Sequence, residues 1–323
     1  MQHFRAPRWL PGGNLQTIWP ALFSRVAPAA PPDFRRERWA TPDGDFIDVD
    51  FADAAEAGAP LLVLFHGLEG SSRSHYALAF AHRAAQLGWH YAVPHFRGCS
   101  GELNLAPRAY HSGDHEEIGW VLQRLRAGRT KPLLAVGISL GGNALLRWAE
   151  EAGDSAAGTA RAVAAVCSPI DLAAGGQAIG RGFNRQVYTR MFLRTMKAKA
   201  LRKWQQHPGL FDRQRLRAAR TLYEFDNLFT APLHGFRDTD DYWARASAKP
   251  HLRHIRIPAL VLNARNDPFV PASCLPAVHE VGRFVTLWQP AHGGHVGFPL
   301  GRFPGHVQGL PEAVTGWMQT LLR

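Results

Sequence analysis

Leu133-Leu134-Ala135-Val136-Gly137-Ile138-Ser139-Leu140-Gly141-Gly142-Asn143 is the stretch whose reading decides the fold. Its apolar opening has the composition of a buried strand, and Gly142 to Glu150 has the pattern of a helix. Between them Gly137 to Gly141 fits G-x-S-x-G, the turn that lifts a serine out of a sheet as a nucleophile, with glycines tolerating the strained backbone. A serine between glycines also suits a plain tight turn, so the assignment of Ser139 depends on partners elsewhere.

A serine hydroxyl needs a base to take its proton and a carboxylate to orient that base. In α/β hydrolases these follow the serine in the order acid, then histidine. Ile257 to Ala264 reads as a buried parallel strand and runs into Arg265-Asn266-Asp267-Pro268. Asp267 therefore falls past the carboxyl end of a strand, on the ligand-binding edge of a doubly wound sheet. Asp171, after the strand candidate Ala162 to Cys167, is the second choice.

Arg283 to Trp288 reads as a further strand, followed by Gln289-Pro290-Ala291-His292-Gly293-Gly294-His295. Two histidines compete there. His295 is preferred because the glycine pair before it frees its loop to bend back toward Ser139, with His292 packing or hydrogen bonding beside it. No nearby cysteine or carboxylate completes a metal-ligand set around His-Gly-Gly-His, and no metal or cofactor is expected. The strongest strand signal, Leu61 to Phe65, runs into His66-Gly67-Leu68-Glu69-Gly70. By position the N–H groups of Leu68 and Leu140 form an oxyanion hole, and His66 has a structural role.

His66 to Ser72, Phe96 to Glu102, Gly137 to Asn143 and Gly293 to Phe298 together resemble the YheT-type branch of the α/β-hydrolase superfamily, AB hydrolase subfamily four. Asn14 to Ile18, Asp226 to Phe236 and Ala264 to Phe269 extend the resemblance over almost the whole chain. It implies an α/β-hydrolase fold, esterase-like activity on short or medium acyl esters, and a triad on Ser139, Asp267 and His295, as chosen from position. Relatives in the branch include phospholipid and acylglycerol hydrolases. Asn14 stands where many relatives carry histidine; far from the triad in sequence, it is expected to have no catalytic bearing.

Further strand-like runs alternate with helix-like ones. Phe34 to Trp39 and Asp45 to Phe51 predict an antiparallel hairpin; Ser74 to Leu87 and Asp114 to Leu125 predict helices; Trp89 to Phe96 predicts a strand. This alternation argues for an α/β fold with a mostly parallel sheet flanked by helices. Some eighty residues between Asp171 and Ile255 break the rhythm, more than a plain crossover needs. The expected organisation is a hydrolase core over 1–170 and 256–323, with a helical cap inserted over 171–255 that shapes the acyl pocket. Phe183, Tyr188, Met191, Phe192, Trp204, Phe211, Tyr223 and Phe225 are candidates to line it, against the plainer reading as core.

The 323-residue chain carries a formal net charge of +11. Between 181 and 220 twelve basic residues (Arg181, Arg185, Arg190, Arg194, Lys197, Lys199, Arg202, Lys203, Arg213, Arg215, Arg217, Arg220) face one acid, Asp212. The first reading is a solvated basic face; the second is attraction of anionic lipid surfaces or acidic substrates. Nucleic-acid binding is disfavoured, because no recognition motif accompanies the charge and the catalytic elements would go unexplained. An acyltransferase using the same acyl-enzyme, or a catalytically silent binding protein, are the alternatives to an esterase acting on a small-molecule ester. Met1 to Trp9 lacks the apolar core of a secretory signal. Cys99, Cys167 and Cys274, odd in number and widely spaced, suit reduced thiols in a cytoplasm.

Overall fold

A computed structural model describes residues 4–25 and 32–322; the first three residues of the stretch read against a secretory signal lie outside it. Eight strands form one sheet: β1 (Arg35–Ala40), β2 (Phe46–Ala52), β3 (Leu61–Phe65), β4 (His90–Pro94), β5 (Leu133–Ile138), β6 (Ala162–Val166), β7 (Ala259–Leu262) and β8 (Val285–Trp288), in the order β1-β2-β4-β3-β5-β6-β7-β8. β1, β2 and β4 pair antiparallel, and every pairing from β4 through β3 to β8 is parallel.

The parallel strands are apolar without alternation because both faces are covered. Leu61, Val63 and Phe65 pack in a cluster with α3 (His115–Arg126) and α4 (Leu140–Ala152). Leu62 and Leu64 enter the opposite cluster with α2 (His75–Gln86) and the C-terminal helix Gly309–Thr320. The sheet is thus the core of a three-layer α/β sandwich, as the alternation of elements predicts. Successive strands run parallel, so the loops after β3, β5, β7 and β8 all emerge along one edge.

An N-terminal helix, α1 (Gly13–Leu22), precedes the sheet. Between β6 and β7 the chain forms only helices and turns, from α5 (Leu172–Ile179) to a 3-10 turn over Lys249–His254. A long helical run there comprises Gly182–Asn184, a π turn over Arg185–Thr189, and α6 (Arg190–Gln206). Asn143, fully buried on α4, donates to the carbonyls of Ser112 and Ala246 and accepts from Ala248 N–H. One amide thus satisfies three backbone groups and fixes the end of this helical segment against α4.

Candidate active site

Ser139 occupies the turn between β5 and α4 with φ of 53°, a left-handed conformation that costs a residue with a Cβ. The strain falls on the serine, not on its flanking glycines. Gly137 and Gly141 are required by close approach instead: a Cβ on Gly141 would stand 2.5 Å from the carbonyl oxygens of Phe65 and His66, and one on Gly137 would overlap the carbonyl of Gly141. The glycines let α4 start hard against the sheet, correcting the expectation that they absorb backbone strain.

His295 Nε2 lies 3.0 Å from Ser139 Oγ, and His295 Nδ1 lies 2.8 Å from Asp267 Oδ2. Asp267 is almost fully buried, and its Oδ1 accepts from the N–H groups of Phe269 and Val270 at 2.8 and 3.3 Å. The carboxylate is therefore held by its own loop while its other oxygen faces the imidazole. The Phe269 ring packs on the His295 ring with centroids 4.1 Å apart, which restricts rotation of the base. Gly293 and Gly294 have φ of 146° and 61°, so the bend that returns His295 to the serine uses the backbone freedom expected of that pair.

The competing candidates lie elsewhere. His292 is solvent-exposed and makes no hydrogen bond among the described residues, so the packing expected of it beside His295 is not found. Asp171 caps α5, accepting from Ala174 N–H. His66 donates from Nδ1 to Gly67 O and accepts at Nε2 from Phe96 N–H. Complete burial pushes its pKa down to about 3, so it stays a neutral structural group. Ligand atoms of Cys167, Asp267 and His295 lie within 4.8 Å of one another. Burial raises the Cys167 thiol well above its ordinary range, which leaves it protonated and a poor metal ligand.

Leu68 and Leu140 border the pocket beside Ser139 and His295. Leu140 opens α4, and first-turn amides of a helix have no acceptor within it. The loop carrying Leu68 is held on several sides. Gly67 N–H donates to Tyr76 OH, Glu69 N–H donates to Tyr110 OH, and Tyr110 OH donates to Glu69 Oε1, which also accepts from Lys199 of α6 at 2.9 Å.

Phe192, Met196, Ile179, Leu222, Phe225 and Phe229 supply an apolar wall over the serine. Of the eight aromatic and sulfur-bearing candidates, only Phe192 and Phe225 line this space. Tyr188 is buried against Phe269, while Phe183, Met191 and Tyr223 are exposed; Trp204 and Phe211 stand outside the lining. Of the twelve basic residues, Lys199 and Lys203 turn inward. Both are occupied, Lys199 by Glu69 and Lys203 by the carbonyls of Asn104 and Ala106. Asp226 also lines the pocket, but it accepts from Thr230 and Trp243, and burial pushes its pKa up to about 6.

Sequence reasoning missed Gln16 and Thr17. Gln16 Oε1 accepts from Gly293 N–H and from Asn266 Nδ2, both at 2.9 Å, and its Nε2 donates to Leu10 O. Thr17 Oγ1 accepts from His295 N–H at 2.8 Å, and Asn266 Oδ1 accepts from Gly294 N–H at 3.0 Å. Two side chains of α1 thus tie the acid loop to the histidine loop. Asn14 belongs to the same helix and accepts from Tyr188 OH at 2.9 Å, so a stretch remote from the triad in sequence is in contact with its loops. The only sequence signal was the family-like Asn14 to Ile18 itself.

Sheet, elbow and the hydrogen-bonded serine, histidine and aspartate define the class, and the alpha/beta hydrolase fold family matches residues 60–301; the chain belongs to this family. It is 39% identical to "Putative esterase YheT" of Escherichia coli (strain K12), over 96% of this chain and 91% of that one. It is 28% identical to "Phospholipase ABHD3" of Homo sapiens, over 97% of this chain and 78% of the relative. Among solved structures, the Pyrococcus furiosus esterase Pf2001 aligns with a TM-score of 0.56 at 16% identity, covering 93% of this chain and 96% of the other, a likeness of fold.

Proposed function

We propose that the chain is a serine esterase that cleaves carboxylic esters of short to medium acyl chains, lipid-derived ones included, through an acyl-enzyme. The observation that carries this reading is the continuous Ser139–His295–Asp267 hydrogen-bond chain at the floor of an apolar pocket. Asp267 accepts the Nδ1 proton of His295, which leaves Nε2 as the acceptor for the Ser139 hydroxyl proton. Ser139 Oγ attacks the ester carbonyl as that proton moves to Nε2, and the N–H groups of Leu68 and Leu140 receive the developing oxyanion. Collapse of the tetrahedral species breaks the bond to the alkoxy oxygen, which leaves as the alcohol with the proton from Nε2. Water, deprotonated by the same nitrogen, then releases the acid and restores Ser139.

The helices over 171–255 act as a cap in this reading, with Phe192, Met196, Phe225 and Phe229 around the acyl chain. Hydrolysis of p-nitrophenyl esters from acetate to laurate tests it: activity has an optimum chain length. Met196→Trp narrows the wall and moves that optimum to shorter chains, whereas an unchanged profile would place the chain elsewhere. An absence of ester turnover in the folded protein would favour the silent binding protein, and preferred transfer to added alcohol over water would favour the acyltransferase.

The Leu68 loop is positioned by Tyr110 and Glu69, which border the pocket beside it. Removing the Tyr110 hydroxyl leaves Glu69 N–H without its acceptor and frees a loop whose residue 69 sits at φ of 57°. Tyr110→Phe is expected to lower kcat about tenfold, with KM changed much less, since the donor serves the transition state more than the bound ester. A rise in KM alone would mean that the Tyr110 hydroxyl serves ester binding rather than the loop.

A further inference from the structure

The run Gly182 to Gln206 has two working faces. Its inner face brings Phe192 and Met196 to the pocket. Its outer face carries Phe183, Val187 and Met191, which are 53%, 37% and 53% exposed. Large apolar side chains normally leave water when they recur at helical spacing. Here they form a short exposed row on the helix that walls the site.

Cations flank that row. Arg185, Arg190, Arg194, Lys197 and Arg220 line a groove of about 510 Å³ beside it. Among the described residues, none of these five is in an ion pair. Lys197 donates to the carbonyls of Arg217 and Ala219, and the arginine side chains are left without an acidic partner. Arg181, beside Phe183, is exposed as well. A helix with an apolar strip between unpaired cations has the composition of one that lies in a bilayer interface, strip in the acyl boundary and cations among anionic headgroups.

We infer that the outer face of residues 181–194 docks on anionic lipid surfaces, so that the wall of the ester pocket stands at the membrane. The arginines alone would suit any polyanion. The three apolar side chains between them favour a lipid surface, because a nucleic-acid backbone or an acidic protein tail offers no apolar layer to bury them. The inference rests on the esterase reading only for its purpose; the docking itself is measured without turnover.

Sedimentation of the full chain with phosphatidylcholine vesicles, with and without phosphatidylglycerol, tests it. Binding is expected to need the anionic lipid and to fall as salt is raised from about 50 mM to about 0.5 M. Arg190→Gln combined with Arg194→Gln should weaken partitioning about 25-fold, at roughly fivefold per cation. Phe183→Ser combined with Met191→Ser should weaken it at unchanged net charge. Hydrolysis of soluble p-nitrophenyl butyrate should be unaffected in both variants, which reports that they fold. The inference is overturned by equal binding to neutral vesicles, by no binding, by variants that bind like wild type, or by a concentration-dependent dimer or a DNA complex that the same substitutions abolish. Normal vesicle binding without ester turnover would remove the esterase reading and leave the docking surface standing.

Discussion

Ser139→Ala should abolish ester turnover, lowering kcat by about 10⁴-fold or more while the protein keeps its fold. The loss is large because in the proposed mechanism Ser139 Oγ is the atom that forms the acyl bond. Two thiols stand near the site: Cys167, whose Sγ lies within 4.8 Å of the Asp267 and His295 ligand atoms, and Cys99, whose Sγ is 3.3 Å from Lys199 Nζ; burial raises the pKa of both, that of Cys99 to about 11, leaving both protonated and unreactive. Alanine removes one oxygen and retains the Cβ, so the strained turn is neither relieved nor overfilled. A fluorophosphonate probe should label the wild type and fail to label the variant, with unchanged circular dichroism. Labelling of Ser139→Ala at another residue, or retention of near wild-type turnover, would show the assignment of the nucleophile to be wrong.

Gln16→Leu should lower kcat by about 100-fold with little change in KM. The substitution keeps a branched side chain, one bond shorter, and it leaves Gly293 N–H and Asn266 Nδ2 without their shared acceptor in a buried place. The histidine loop then loses one of its fixed points, and a displacement of about 1 Å between base and nucleophile is enough for a loss of this size. Gln16 is not among the residues that line the pocket, so affinity is spared. The discriminating measurement is the split between kcat and KM, with the rate of fluorophosphonate labelling falling in parallel with kcat. Full activity in a Gln16→Leu variant of unchanged stability would mean that Thr17 and the glycine conformations suffice to place His295.

Much of the architecture is legible because fully buried parallel strands leave little choice of residue. Leu61 to Phe65 forms a strand over the same five residues that the pattern marks, and Leu133 to Ile138 follows the apolar run before the elbow. The meeting of Ser139, Asp267 and His295 is legible because each follows a strand that ends on one edge, in an order that the chain preserves. Gln16 and Thr17 are not, since their partners are backbone amides some 277 residues away and a glutamine that accepts from an amide has no local signature. The pocket candidates are only partly right for a different reason: the list took large side chains from both faces of one helical run. Phe183 and Met191, four residues either side of Val187, turn out, whereas Tyr188 and Phe192 lie on the opposite face, Tyr188 against Asn14 and Phe192 on the pocket.

The clamp on the histidine loop also has a bearing on synthesis. The amides of Gly293 and His295 are made some 277 residues after the Gln16 and Thr17 side chains that bind them. At roughly 5–20 residues per second, α1 waits on the order of 15–55 s for its partners. During that interval the sheet can assemble from β3 through β6, yet the base has no anchor. The nascent enzyme therefore passes through a stage in which the elbow is formed and the histidine loop is not yet held, and that loop is fixed only with the closure of the longest-range contact in the site.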